Sequence, residues 1–445
     1  MAIKSGRNIE DCARLAEEAG LHTVICLFTD TWGIPRGKHV PLRQFLRGGR
    51  FTTAAVALSW NPRSDVLPTP WAETDSEYKD MAVVADLDTF RVAGWTEGAA
   101  VVICDTVDVE TGEPTAMDAR AMLKRTLREY ADLGLTVNQA PELEFHLFDA
   151  DWQRSSDKSF CYSLDRADQL EPVLGAIREA LLRTGIDCEA SNVEYGPSQA
   201  EVNLRHAPGL TAVDDAVLLR HLTRAVARRH GYNATFMVKP LNGGSGSGMH
   251  LHQSLADAEG RNAFAVRDAP GDGLPSKAMQ GYVAGLLRRQ LDLQVVAMPT
   301  VTAYRRAEDY SFAPTQVCWG LDNRLVGIRC LTPDEPGTRV EVRWGAADAN
   351  PYLLAHGCLQ AGLEGMRDNA PLQPVSSGDP HADGGLRRVA PSLEQAVETF
   401  HTSEFARRTY GDVFVDTYTV MQRNELAAFG AHVTDWEFSR YADVF

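Results

Sequence analysis

Apolar and polar positions alternate strictly over residues 141–149, where Leu143, Phe145 and Leu147 interleave with Glu142, Glu144 and His146. A period of two predicts a β-strand with one buried face and sends both glutamates to the other face. Two carboxylates side by side repel unless water or a cation separates them. Taken alone, the pattern also fits a solvated edge strand. Three further stretches repeat it. Over residues 248–254, His250 and His252 share a face opposite Met249 and Leu251. Over residues 338–343, Arg339, Glu341 and Arg343 oppose Val340 and Val342. Glu194 and Glu201 flank a Gly196-Pro197 turn signal, able to fold both carboxylates toward one cavity. Solvated sheet faces usually carry Thr, Lys and Ser. Faces built from Glu, His and Arg on separate strands predict one shared site. Oxygen-rich ligands with an occasional imidazole suit Mg²⁺ or Mn²⁺ better than zinc. The arginines suit phosphate and carboxylate groups, which they grip bidentately.

Around these stretches the chain reads as a mostly β first part followed by alternating strands and helices. The pattern predicts a helix over 7–20 stopped by Gly20, a strand over 24–30, a turn over 33–38, and strands over 83–88 and 99–105. A composition break at 111–114 (Thr-Gly-Glu-Pro) marks a domain boundary, giving domains of 1–112 and 113–445. Beyond it, helices are expected over 116–133 (N-cap Asp118, stop Gly134), 166–184, 214–230 and 276–296. A strand is expected over 236–239, a glycine-rich loop over 243–248, an arginine-bearing loop over 299–317, and a loose stretch over 374–385 before terminal helices. The glycine-rich loop runs into a strand pattern, so it lacks the helix that a dinucleotide loop requires. No G-x₄-G-K-[ST] phosphate loop occurs.

Composition narrows the class. With 44% hydrophobic and 23% charged residues the 445-residue chain is globular in type, and no apolar run is long enough to span a bilayer. A net charge of −16 argues against nucleic acid or anionic membrane as partner, though a local arginine cluster still admits anionic substrates. The N-terminus lacks the apolar core of a signal peptide, so a cytoplasmic location is expected. Eight cysteines without a C-x₂-C pair read as reduced core thiols.

Together with Tyr304-Arg-Arg306, Trp319-Gly-Leu-Asp-Asn-Arg324 and Ala349-Asn-Pro-Tyr-Leu353, these stretches resemble, in order and spacing, the glutamine synthetases of the bacterial class I type. The resemblance covers most of the chain. It implies an α+β fold: a small N-terminal β-grasp domain, then a larger catalytic α/β domain with a curved antiparallel sheet. It also implies a homo-oligomer, a dodecamer of two hexameric rings with active sites between neighbouring subunits. By the same likeness Glu144, Glu194 and Glu201 fall at one divalent cation, and Glu142, His250 and Glu341 at a second. His252, Ser254 and Arg339 fall near ATP; Gly246, Arg306 and Arg343 near glutamate; Arg324 and Arg329, with Arg306, at phosphoryl transfer. Such an enzyme transfers the γ-phosphoryl group of ATP to the γ-carboxylate of glutamate, making an acyl phosphate that an amine then attacks. Cations and arginines are needed because this step brings anions together.

The departures from the pattern bear on the second substrate. Class I enzymes that use ammonia carry an aspartate in an N-terminal Phe-Asp-Gly-Ser-Ser-like loop and a glutamate before Ala-Pro in the later arginine loop. Here residues 49–54 read Gly-Arg-Phe-Thr-Thr-Ala without an acid, and Phe312 stands before Ala313-Pro314. Without those acids ammonium is neither attracted nor deprotonated, and a phenylalanine favours an apolar group on the nitrogen. The expectation is therefore the γ-glutamyl-amine ligase branch: an organic primary amine as second substrate, a pocket at Phe312, and Glu308 or Asp309 as candidate base. Thr302, Ala303 and Ser245 also depart from the usual family residues near glutamate. An ammonia-using glutamine synthetase, a polyamine ligase and a catalytically silent scaffold are the alternatives.

Overall fold

Asn8 opens the first helix, Ile9–Glu18, with a reciprocal capping box to Asp11, and Gly20 follows it in the left-handed conformation that ends helices. Cys12 and Ala16 on its inner face pack into a core shared with the first sheet. The computed structural model describes residues 7–154, 160–266 and 275–445. The strands of the first sheet run in the order Pro35–Pro41, Thr23–Thr29, Ala99–Asp108, Asp80–Ala85, Arg50–Ala54. Thr23–Thr29 lies parallel to Ala99–Asp108; the other neighbours along this order are antiparallel.

The second sheet is centred on the long strand Thr136–Asp149. Outward on one side lie Met249–Ala256, Arg339–Val342, Ile328–Leu331 and Trp319–Leu321; on the other lie Gln199–Leu204 and Cys188–Val193. Leu143, Phe145 and Leu147 are completely buried, as their alternation requires. Helices Leu164–Thr184, Gly209–Arg229 and Pro351–Arg367 contribute buried apolar faces to the same core. The two sheets are tied by Arg120, on helix Ala119–Asp132, which Asp118 caps. Arg120 reaches Asp105 at 2.7 Å and Asp86 at 2.9 Å from the first part, and Asp214 at 2.8 Å from the second.

Four expected elements differ. Residues 33–38 do not form one turn. The chain reverses earlier, at Gly33, and Pro35–Pro41 is a strand. Gly37 sits inside that strand because a Cβ there would lie 1.9 Å from the Cys26 carbonyl oxygen. The expected strand over 236–239 is displaced to Tyr232–Thr235; Phe236 and Val238 are buried but lie outside any strand. The helix over 276–296 breaks into Lys277–Arg289 and Gln294–Ala297. There Gln294 turns inward, donating to the Ala390 carbonyl at 2.9 Å and accepting from its N–H at 2.8 Å. Finally, the strand over 141–149 begins at Thr136, continuing through Pro141.

Among the described residues no helix is long and apolar enough to cross a membrane. All eight cysteines are free; Cys161 and Cys188 are partly exposed and the rest buried.

Candidate active site

Strand register builds the site. Antiparallel pairing sets Glu142 opposite His250, Glu144 opposite Glu201, His252 opposite Glu341, and Arg329 opposite Glu341. Like charges directly across a ladder destabilise a sheet, so the Glu144–Glu201 pairing has no structural rationale unless a positive charge is to lie between them. The ligand atoms of Glu142, Glu201 and His250 all lie within 4.8 Å of one another. His250 Nε2 is 3.9 Å from Glu144 and its Nδ1 3.6 Å from Glu341. This tight trio draws members from both sets that the family likeness separates. Glu194 ends the hairpin at Gly196–Ser198, where Ser198 adopts φ 63°. Its carboxylate accepts from Asn192 at 2.8 Å and from the Tyr195 N–H at 3.2 Å.

The electrostatics describe a site short of positive charge. Burial, reinforced by Glu142 and its neighbours, pushes the Glu201 carboxyl up to about 10. Burial raises Glu144 to about 7, with Glu194 adding and Arg306 opposing, and burial raises Glu194 as well. Burial also acts on Glu142 and Glu341, but is outweighed. Hydrogen bonds from His250 and His252 hold Glu142 well below the carboxylate range, and Arg343 and His250 hold Glu341 at about 2. Burial, aided by Arg343, lowers His250 and keeps its imidazole in the neutral, ligating form. Acids that bind protons at neutral pH for want of a counter-charge, beside a neutral imidazole, are a donor set suited to a hard divalent cation.

A cavity of about 1000 Å³ opens over these acids, lined by Glu142, Glu201, Glu341, His252, Ser254, Arg324, Arg329 and Arg339. Arg329 donates to Glu341 at 2.9 Å; Arg339 Nε donates to His252 Nδ1 at 3.1 Å, and His252 Nε2 is 3.2 Å from Glu142. Arg306 and Arg343 are buried behind the acids. Arg343 pairs with Glu341, the Arg306 guanidinium donates to the Gly345 carbonyl at 3.4 Å, and among the described residues the Nε of each lacks a partner. Burial lowers the Arg306 pKa, and Arg343 nearby lowers it further. Two buried guanidiniums with unpaired N–H groups have the chemistry to receive an anion. Gly246 is required by this packing: a Cβ there would stand 2.7 Å from Arg306 Cγ.

The residues expected at the amine divide. Phe312 is 49% exposed and its ring centroid lies 6.0 Å from that of Tyr195, next to Glu194. Glu308 pairs with Lys239 at 3.0 Å and Asp309 with Arg388 at 2.8 Å; like Phe312, neither lines the cavity. Both candidate bases are thus paired with cations in the structure. Sequence reasoning missed Gln199, which donates to Glu144 at 2.8 Å, and Asn203, which donates to Glu201 at 3.0 Å. Their signal was present, since Gln199, Glu201 and Asn203 alternate with Ala200 and Val202.

Residues 116–441 match the family described as glutamine synthetase, catalytic domain. The chain belongs to the glutamine synthetase family. It is 32% identical to the glutamate–isopropylamine ligase of a Pseudomonas species across the whole of both chains. It is also 32% identical to the gamma-glutamylethanolamide synthetase of Streptomyces coelicolor over 97% of this chain and 95% of that one. A glutamine synthetase of Methanosarcina mazei is 31% identical over 97% of each chain. The solved structure of a GmaS–ADP complex superposes with a TM-score of 0.85 at 25% identity, over 97% of this chain and 99% of that one. These relatives support the amine-ligase branch of the family, and all of those named by activity are ligases, as is this chain. The mixed α/β architecture with its curled second sheet is that of glutamine synthetase-like structures, and the strands from Thr23 to Asp108 are compatible with an N-terminal β-grasp domain.

Proposed function

We propose that the protein is an ATP-dependent ligase that joins the γ-carboxylate of L-glutamate to an organic primary amine through a γ-glutamyl phosphate. The observation that carries the choice of amine over ammonia is the state of residues 308–312: its acids are paired with Lys239 and Arg388, and Phe312, where a glutamate would serve ammonium, presents an exposed ring beside Tyr195. A carboxylate already paired with a cation draws ammonium less strongly than a free one, whereas a ring offers apolar surface to a carbon substituent. The names of the Pseudomonas and Streptomyces relatives support the same reading.

In this reading Arg306 and Arg343 hold the carboxylate of glutamate with their unpartnered N–H groups, and Gly246 lets the backbone come close. Arg324 and Arg329 face the cavity and neutralise charge as the phosphoryl group moves, while His252, Ser254 and Arg339 contact ATP. Glu144, Glu194 and Glu201 would hold one cation, and Glu142, His250 and Glu341 another. Bound there, Mg²⁺ or Mn²⁺ would offset the charge of the phosphate oxygens. The chain is proposed to divide near residue 112, to work in the cytoplasm, and to assemble as a homo-oligomer, with a dodecamer of two rings as the family form. The exposed Val433, Trp436, Phe438 and Phe445 at the C-terminus support coverage by another copy.

ADP release with glutamate, Mg²⁺ and a panel of amines tests the proposal. Turnover is expected with small, partly apolar amines such as isopropylamine or ethanolamine, and with aniline. Ammonium supporting the same kcat/KM as the best amine would favour an ordinary glutamine synthetase instead.

A further inference from the structure

Two large aromatic side chains face solvent at the edge of a site otherwise built from buried polar groups. Tyr195 is 57% and Phe312 49% exposed, with ring planes inclined at 47°. They come from different loops and opposite halves of the chemistry. Tyr195 follows Glu194 directly and its own N–H donates to that carboxylate, so the ring is fixed relative to the acid cluster. Phe312 lies six residues after Arg306, the buried guanidinium behind Glu144.

The loop carrying Phe312 is held in a conformation that a solvent-exposed segment would not adopt unaided. Tyr310 and Phe312 have φ of 66° and 59°, the left-handed region that residues with side chains rarely occupy. Several ties hold them there. Ser311 Oγ is 3.0 Å from the Arg306 carbonyl and 2.6 Å from that of Glu308. Asp309 is gripped by Arg388, with His381 Nε2 at 3.6 Å, and the His381 ring lies 4.6 Å from that of Tyr310. Strain maintained by this many contacts, yet ending in an exposed ring, indicates that the ring has something to meet.

We propose that Tyr195 and Phe312 together form the wall that selects the carbon substituent of the amine, with Tyr195 a specificity-determining residue equal in weight to Phe312. This deepens the amine-ligase reading and rests on it. Tilted aromatic faces take apolar groups, and the part of an alkylammonium next to its charge also packs well on a ring. Each carbon added to the nitrogen covers more of the two rings, so selectivity should rise with the size of a small substituent.

The test compares kcat/KM for isopropylamine and methylamine in the full chain with saturating ATP, glutamate and Mg²⁺. Tyr195→Ala and Phe312→Ala are each expected to lower the isopropylamine-to-methylamine ratio roughly tenfold or more, the scale of a lost apolar contact in a binding pocket. The double variant should fall by less than the product of the two, because one wall is removed twice. Tyr195→Phe, which keeps the ring, should retain the ratio. If Tyr195→Ala does not fold, Tyr195→Leu serves, and a lowered ratio there supports the wall equally. An unchanged ratio in Tyr195→Ala (or Tyr195→Leu), or a uniform loss for both amines, would overturn the proposal. Wild-type protein that uses organic amines while Tyr195→Ala keeps the wild-type ratio removes the wall alone. Wild-type protein that makes only glutamine removes the amine-ligase reading with it.

Discussion

Replacing Glu201 by glutamine should stabilise the protein when no divalent cation is present. Glutamine keeps the side-chain oxygen that accepts from Asn203 at 3.0 Å and removes a charge that burial and Glu142 oppose. The folded carboxyl, pushed up to about 10 from 4.5, holds its proton at pH 7, where the unfolded one has lost it. Folding at pH 7 therefore takes up a proton, at about 1.36 kcal/mol for each pH unit above 4.5, or about 3 kcal/mol in all. A carboxyl raised in this way contributes least to instability in acid. The cation-free fold should lose stability as pH rises from 4.5 toward 10. Urea unfolding at fixed protein concentration, in EDTA and in excess Mg²⁺, reads the effect. In EDTA at pH 7, Glu201→Gln should exceed wild type by about 3 kcal/mol and show a shallower decline with pH. In Mg²⁺ the order should reverse, because wild type gains binding energy that the variant cannot. A variant less stable than wild type in EDTA, or with the same pH slope, would refute the view of Glu201 as an uncompensated acid.

Other expectations follow from the same geometry. Gly246→Ala places a Cβ 2.7 Å from Arg306 Cγ, and displacing that guanidinium by even a fraction of an ångström should lower kcat/KM for glutamate by roughly 10²-fold, measured by steady-state kinetics. Arg343→Lys preserves charge but not the fork that pairs with Glu341 and is proposed to hold the glutamate carboxylate, so KM for glutamate should rise about tenfold or more in the same assay. His356 is fully buried, 2.7 Å from Thr126 Oγ1 and 3.0 Å from the Thr409 carbonyl, and burial pulls it down to about 3. The unfolded imidazole takes a proton near pH 6.5 that the folded one refuses, so stability should fall by about 1.4 kcal/mol per pH unit below that value. His356→Gln should remove this increment from the pH profile of urea unfolding, whatever its effect at pH 7.5.

Much of the site was legible because strand alternation and metal chemistry leave the same mark. Glu142 and Glu144 against Leu143 and Phe145, or His250 and His252 against Met249 and Leu251, betray a polar face that solvent alone does not explain. Register could not be read in the same way. That Glu144 faces Glu201 and His252 faces Glu341 depends on pairings between strands far apart in the chain. The loop proposed to meet the amine shows the same limit. Phe312 stood out as a departure, but Glu308 and Asp309 looked available because their partners Lys239 and Arg388 lie about 70 and 80 positions away in sequence. The missed elements have local causes. Gly37 reads as a turn residue until the Cys26 carbonyl that excludes a side chain is seen. The periodicity through residues 276–296 conceals a break made by the tertiary contact of Gln294 with Ala390.

The most direct test is one reaction holding ATP, Mg²⁺, L-glutamate labelled with ¹⁸O in its γ-carboxylate, and equal concentrations of ammonium and isopropylamine, with amides and phosphate read by mass spectrometry. The expected result is γ-glutamylisopropylamide in excess over glutamine, with one ¹⁸O delivered to phosphate for each amide formed. Glutamine as the main product, or phosphate without label, would contradict the proposed chemistry.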